Sequence, residues 1–279
     1  ITRFSSVLIA ICRFDVDWNH FRWPVIKSVS AMTVSPVCRN LLRSLRNSMH
    51  WSEKKMTEIA YHSSSELQER ITPAEVLELL REGNQRFLNG DRLPRDYAAL
   101  IKATAGGQTP LAAVLGCIDS RVPVELVFDL GIGDVFSVRV AGNISGSKSL
   151  GSIEYAVAVA GVKLLLVLGH TRCGAVTSSV KLLGEKMDVT EATGCKHLHK
   201  IVDEVAPCLD ESDFIAFKAM DADAQTAFVD EIAQRNVMRA VDQMLQQSDV
   251  VKQAVDDGKL MVAGAMYDVE TGAVNFLTV

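Results

Sequence analysis

Hydrophobic positions follow two different spacings in the part of the chain after residue 70. The stretch TPAEVLELLREGNQRFLNG (72–90) has apolar residues three and four positions apart, which is typical of an amphipathic helix. Thr72 can cap its start, Pro73 suits its first turn and Gly90 can end it. A polar linker follows to about residue 108, and short apolar runs then alternate with helical patterns.

This alternation predicts an α/β fold. Strands are expected at 111–116, 135–140 and 163–169, and helices at 123–128, 148–161, 173–183 and within 196–257. Short apolar strands separated by helices imply right-handed crossovers and a mainly parallel sheet. The turn sequence VETG (269–272) near the end of the chain predicts a hairpin. We therefore expect a mainly parallel central sheet, flanked by helices, with one antiparallel edge strand.

The first 55 residues have a different character. They carry nine Lys and Arg against three Asp and Glu, whereas residues 56–279 carry 20 against 31. Their apolar stretch Val7–Cys12 is too short to span a membrane. Three interpretations stay open: an upstream or cloning artefact, an organelle transit peptide, or a disordered extension that binds a partner or an anionic surface. The predicted organisation is an extension (1–55), a helical arm with its linker (56–108) and an α/β domain (109–279).

Composition narrows the class of protein. The hydrophobic content of 48% is that of a globular chain, and the net charge of -5 does not suggest a nucleic-acid partner. Cys12, Cys38, Cys195 and Cys208 show no disulfide-framework spacing, which is typical of a reducing compartment. We expect a cytoplasmic protein, or an organellar one if residues 1–55 are a transit peptide.

Two polar clusters follow predicted strands. GCIDSR (116–121) and GHTRCG (169–174) each begin where an apolar run ends, and ligand sites of parallel sheets form at such strand ends. Their chemistry-bearing side chains are two thiols, one imidazole and one carboxylate, from Cys117, Asp119, His170 and Cys173. These four groups make a plausible tetrahedral zinc set, and Cys with His favours zinc over magnesium or calcium.

Other interpretations of these residues are possible. A single buried Cys or His is usually structural, and a disulfide between Cys117 and Cys173 would leave Asp119 and His170 unexplained. The fragment GCKHLHK (194–200) offers a second Cys/His cluster. Because Cys195 and His197 would point to different faces of a helix, we interpret this fragment as a solvated helix start.

The two motifs resemble a known family. CIDSR followed by HTRC is similar to the Cys-x-Asp-Ser-Arg and His-x-x-Cys pair of the β-class carbonic anhydrases, particularly the bacterial members. FDLGIGDVFSVRVAGN and GSIEYAV resemble the family's connecting segments, LLREGNQRFLNG its N-terminal helix and GAMYDVETGAVNFL its final hairpin. The resemblance covers about residues 70–279, so the domain 109–279 would be the zinc-binding catalytic domain.

The resemblance implies specific roles. Cys117, His170 and Cys173 would hold Zn²⁺, and Asp119 would form a catalytic dyad with Arg121. Asp119 is also close enough in sequence to take the fourth metal position. The implied activity is the reversible hydration of carbon dioxide to bicarbonate by a carbonate dehydratase that assembles as a homodimer or a multiple of dimers.

Two positions depart from the family's pattern, and two other functions stay open. Gly131 stands where plant-type members have a substrate-orienting Gln, and Arg172 stands where many members have a small or acidic residue. A hydrolase of carbonyl sulfide or carbon disulfide could use the same scaffold. A non-catalytic zinc or bicarbonate-sensing module is the other alternative, although such a module has no need for the Asp119–Arg121 dyad.

Overall fold

A computed structural model describes residues 63–277. The extension 1–55 and the start of the arm lie outside the described residues, so the predictions made for them stay predictions. The described helices are α1 (Ser65–Arg70), α2 (Pro73–Asn89), α3 (Tyr97–Thr104), α4 (Val124–Val127), α5 (Ser147–Ala158), α6 (Gly174–Gly184), α7 (Val189–Thr193), α8 (His199–Val205), α9 (Glu211–Ala219), α10 (Ala222–Gln247) and α11 (Asp249–Asp256). The strands are β1 (Ala112–Gly116), β2 (Val135–Arg139), β3 (Leu164–His170), β4 (Met261–Tyr267) and β5 (Val274–Leu277).

The strands form one five-stranded sheet in the order β2-β1-β3-β4-β5. All neighbours are parallel except β4 and β5, which pair antiparallel through the predicted hairpin. The predicted fold class is therefore confirmed. In this register Gly116 of β1 lies beside Arg139 of β2 and Leu168 of β3. The carboxyl ends of the three strands thus meet at one edge of the sheet, and both polar motifs begin there.

Helices cover both faces of the sheet. Alternate residues of β1 and β3 point to opposite faces, and both sets are buried. Ala113, Leu115 and Val167 belong to the cluster that packs against the face of α10, whereas Val114 and Leu166 pack with residues of α2. Burial on both faces explains why these strands are continuous apolar runs in the sequence.

Helix α2, the helix predicted at 72–90, is capped at both ends. The Thr72 hydroxyl and the Glu75 carboxylate form a capping box, and Gly90 ends α2 with a left-handed φ of 74°. Part of the segment that we predicted as a polar linker is in fact helix α3, whose start is capped by the Asp96 side chain. The short, weakly periodic pattern around that cap did not reveal the helix.

A buried carboxylate ties the arm to the α/β core. Asp129 lies in the loop after α4 with its side chain 1% exposed, and it pairs with Arg86 at 2.6 Å and with Arg95 at 2.5 Å. Burial alone would raise the pKa of Asp129, but hydrogen bonds from these guanidinium groups lower it below its ordinary value. Asp129 therefore carries a charge that stabilises the contact between arm and core.

No helix in the described part of the chain is long and apolar enough to cross a membrane.

Candidate metal centre

Three predicted ligands come together at the carboxyl edge of the sheet. Cys117 follows β1 directly, His170 is the last residue of β3, and Cys173 occupies the position before α6. Their ligand atoms all lie within 4.8 Å of one another, and all three residues are buried. Zinc ligands at about 2.0–2.3 Å from the metal lie roughly 3.3–3.8 Å apart in a tetrahedron, so a group of this size can hold one ion.

The two thiol groups differ in acidity. The backbone N–H of Gly142 donates to the Cys117 sulfur at 3.4 Å. The Cys173 thiol donates to the same sulfur, which lowers the pKa of Cys117 to about 4 and raises the pKa of Cys173. Cys117 is thus the more acidic of the two thiols, and a bound cation would favour loss of both thiol protons.

His170 presents an unused nitrogen to the thiols. Its Nδ1 donates to the Thr171 carbonyl at 2.9 Å, which fixes the ring and leaves the lone pair on Nε2. Nε2 is buried and has no hydrogen-bond partner. Burial alone would lower the pKa of His170, but the nearby Cys117 sulfur and Asp119 carboxylate raise it. A buried polar atom without a partner is costly, and a metal ion would satisfy it.

The dyad lies beside these ligands. Arg121 binds Asp119 in a bidentate pair, with Nε 2.9 Å from Oδ1 and Nη2 2.7 Å from Oδ2. These hydrogen bonds lower the pKa of Asp119 to about 2, so Asp119 is a carboxylate at neutral pH. Its Oδ2 lies 3.9 Å from His170 Nε2, at the border of the ligand group.

The sequence did not predict one further residue, which positions the loop that carries Cys117 and Asp119 after β1. Arg139, at the end of β2, donates from Nε to the Cys117 carbonyl at 2.9 Å and from Nη2 to the Asp119 carbonyl at 2.6 Å. The register places Arg139 beside Gly116, and a sequence does not show which strands are neighbours. In the sequence, the one signal for this role was that a charged residue, Arg139, ends an otherwise apolar strand.

Two further features noted in the sequence, the fragment 194–200 and Gly131, are not part of the ligand group. Cys195 and His197 are exposed in the loop before α8, and among the described residues the only cluster with metal-ligating geometry is Cys117, His170 and Cys173. Gly131 is buried, and a Cβ there would lie 3.2 Å from both Arg95 Nε and Leu100 Cδ1. The space that a longer side chain would need at position 131 is therefore filled by the arm.

The donor set identifies the kind of centre. Two sulfurs and one imidazole nitrogen from buried residues match zinc rather than magnesium or calcium. Three protein ligands, rather than four, are typical of a catalytic zinc site, which keeps one position open. Fold and site together define a mainly parallel α/β protein with a Cys-His-Cys group suited to bind a metal ion and an adjoining Asp–Arg pair.

Comparison with known proteins gives the family. The family model described as carbonic anhydrase matches residues 112–274. Carbonic anhydrase 2 of Mycobacterium tuberculosis is 36% identical over 201 residues, which are 72% of this chain and 90% of that protein. The chain therefore belongs to the β-class carbonic anhydrases and is an enzyme of the carbonate dehydratase type.

Solved structures agree with this assignment. A β-carbonic anhydrase of Aspergillus fumigatus aligns with a TM-score of 0.55 and 27% identity, covering 73% of this chain and 88% of that one. One of two tetrameric β-carbonic anhydrases of Sordaria macrospora aligns with a TM-score of 0.55 and 25% identity, covering 65% and 87%.

Proposed function

We propose that this protein is a zinc-dependent carbonic anhydrase that converts carbon dioxide and water into bicarbonate and a proton, and back. The observation that carries the proposal is the position of the Asp119–Arg121 pair at the border of the Cys117, His170 and Cys173 group. A purely structural zinc site needs no ionised carboxylate oriented beside it.

The three ligands are suited to hold zinc through two sulfurs and Nε2 of His170. When bound, zinc supplies Lewis-acid chemistry that makes water acidic enough to act as a nucleophile near neutral pH. Thiolates donate more charge than imidazoles, so this acidity is weaker than in a site with three histidines. Burial of the ligands strengthens the electrostatic interactions inside the site and offsets part of that weakening.

Asp119 orients the attacking water rather than removing its proton, which passes to bulk water. Both carboxylate oxygens accept hydrogen bonds from Arg121, so the carboxylate is a weak base with a pKa of about 2. Oδ2, which faces the ligand group, can still accept one hydrogen bond from the water whose oxygen attacks carbon dioxide. This bond turns the lone pair of the water towards the carbon and makes the reacting geometry productive.

Arg121 also keeps Asp119 out of the ligand set. Asp119 is two residues from Cys117 and could supply a fourth protein ligand, which would close the centre to water. The bidentate pair with Arg121 opposes that movement, because the carboxylate would have to give up two charge-assisted hydrogen bonds. We propose that Asp119 is a dyad member in the active state and a metal ligand in an inactive one.

Assembly as a homodimer, or as a multiple of dimers, is part of this proposal. The Sordaria macrospora relatives are described as tetrameric. The outer edge of β2 has no neighbour in the described sheet. Helix α5 packs against β2, and Tyr155 and Val159 at its C-terminal end are exposed apolar residues.

A cytoplasmic location is proposed because the four cysteines of the described part are free.

Stopped-flow measurement of carbon dioxide hydration by the zinc-loaded protein tests the proposal. We expect turnover well above the uncatalysed rate, together with one zinc per chain by elemental analysis. A parallel assay with carbonyl sulfide separates the alternative hydrolase. A zinc-loaded protein that leaves the hydration rate unchanged would contradict the proposal.

A further inference from the structure

Arg172 has an unusual backbone conformation between two of the metal ligands. It lies in the loop from His170 to Cys173, and its φ of 54° is in the left-handed region. A residue with a long side chain rarely adopts this region, because its Cβ crowds the backbone. Neighbouring groups must therefore hold the loop in this shape.

Two acidic residues contact Arg172 from other elements. Asp230 of α10 accepts a hydrogen bond from the Arg172 backbone N–H at 2.6 Å. Glu270, in the turn between β4 and β5, pairs with the Arg172 guanidinium at 2.5 Å, but both side chains are more than half exposed. Exposed ion pairs contribute little, whereas a short bond from an N–H to a half-buried carboxylate fixes the backbone directly. Asp230 is therefore the main restraint on the loop.

The restrained backbone reaches the dyad. The Arg172 carbonyl accepts a hydrogen bond from Arg121 Nη2 at 3.3 Å, and the same nitrogen donates to Asp119 Oδ2. The Arg121 side chain is 47% exposed, so without an anchor it would sample several rotamers. The Arg172 carbonyl is its one described partner other than Asp119.

We propose that Asp230 is a positioning residue for the reaction, acting through the Arg172 backbone on Arg121. Asp230 holds residue 172 in the left-handed conformation, the Arg172 carbonyl then anchors Arg121, and Arg121 keeps Asp119 at the ligand group. The catalytic part of this inference rests on the proposed function. The role lies in the backbone of residue 172 and does not require its arginine side chain.

Substitution of Asp230 tests the chain of contacts. Asp230→Ala removes the acceptor, and we expect about tenfold lower kcat, with a much smaller change in KM, since Arg121 loses its anchor while the pocket stays. Asp230→Asn keeps an oxygen acceptor and is expected to stay within about threefold of the parent kcat. Zinc content by elemental analysis should remain at one per chain in both variants.

Two backgrounds distinguish the backbone of residue 172 from its side chain. Arg172→Gly adopts a positive φ without steric cost, so Asp230→Ala should reduce kcat much less in this background. Arg172→Ala removes the guanidinium and its pair with Glu270 but keeps a Cβ, so a positive φ at residue 172 still has a steric cost. Asp230→Ala should therefore still reduce kcat about tenfold in this background. A general structural defect would reduce kcat equally in both backgrounds, and that result would overturn the proposal.

A crystal structure of Asp230→Ala gives a result that does not depend on activity. We expect Arg121 to be displaced from the Arg172 carbonyl, and an unchanged Arg121 would overturn the proposal even if kcat fell. If the parent enzyme failed to hydrate carbon dioxide, the proposed function would fail, while this crystal structure would still decide the contact chain. If Asp230→Ala does not fold, Asp230→Glu is the second variant, because it moves the carboxylate by one methylene group. If Asp230→Glu kept the parent kcat and the parent position of Arg121, the inference would be refuted.

Discussion

The guanidinium of Arg121 donates one hydrogen bond to each carboxylate oxygen of Asp119, at 2.9 and 2.7 Å. This pair sets the charge and the direction of Asp119 at the border of the metal centre.

Replacement of the dyad arginine should separate activity from metal binding. We expect Arg121→Ala to reduce carbon dioxide hydration by about ten- to a hundredfold, because Asp119 is released from its oriented position. The reduction should hold across the range from about pH 7 to pH 9, since the loss is one of geometry. Stopped-flow assays with zinc content measured on the same samples check this expectation.

Arg235→Ala is the matched control for that variant, since Arg235 pairs with Asp213 and Glu231 outside the metal centre. It should keep nearly the parent rate. If Arg121→Ala hydrated carbon dioxide as fast as the parent, neither the orienting role of Asp119 nor its inactive metal-bound state would survive.

Removal of one thiol should remove the metal. In Cys173→Ser the chain loses a buried sulfur donor of the three-ligand group, and a hydroxyl is a far weaker zinc ligand. We expect zinc content to fall from about one per chain to a small fraction, with activity lost in proportion. Cys195→Ser, which changes an exposed cysteine, should leave both unchanged. Full zinc occupancy in purified Cys173→Ser would show that the ligand assignment is wrong.

Glycine at position 169 allows α10 to approach the end of β3. A Cβ at Gly169 would lie 2.5 Å from Val237 Cγ2 and 2.8 Å from Met266 Sδ. Gly169→Ala should therefore destabilise the fold by about 1–3 kcal/mol and weaken zinc binding by displacing the adjacent His170. Thermal unfolding and zinc titration measure both effects.

A second substitution identifies the cause of that loss. Val237→Ala removes the atom that the new methyl group would meet, so the double variant should be more stable than the sum of the two single losses predicts. Strictly additive losses would exclude a steric conflict between residues 169 and 237.

The buried carboxylate that anchors the arm should make stability depend on pH. The folded-state pKa of Asp129 is below the unfolded value of about 3.9, so its contribution is complete above about pH 5 and is lost as pH falls through the folded-state pKa. Asp129→Asn should cost about 2–4 kcal/mol at neutral pH and progressively less in acid. Asparagine tolerates the left-handed φ of 47° at this position, so the backbone need not change.

Denaturation of parent and variant at several pH values measures this difference. Asp257→Asn is the control, because Asp257 pairs with Lys259 at the surface, and it should change stability little. A difference between parent and Asp129→Asn that stayed constant from neutral pH into strong acid would contradict the ionised state of Asp129.

The sequence alone determined the mainly parallel sheet and the residues that we propose as metal ligands. Apolar runs of five to seven residues ended at Cys117 and at His170, and only buried parallel strands combine such runs with helical spacers. The carboxyl ends of parallel strands meet at one edge, so the sequence predicts that Cys117 and His170, 53 positions apart, lie close together. Ligand chemistry then indicated zinc, because few ions prefer sulfur and imidazole together.

Tertiary structure alone decided which distant groups support these ligands. Arg139 reaches the ligand loop because β2 lies beside β1, and Asp230 reaches the Arg172 backbone because α10 packs against β3. Helix α3 and the Asp129 pairs likewise depend on how the arm folds onto the core. Local periodicity records which face of an element is buried, whereas these contacts depend on strand order and helix placement, which are set by packing between segments far apart in the chain.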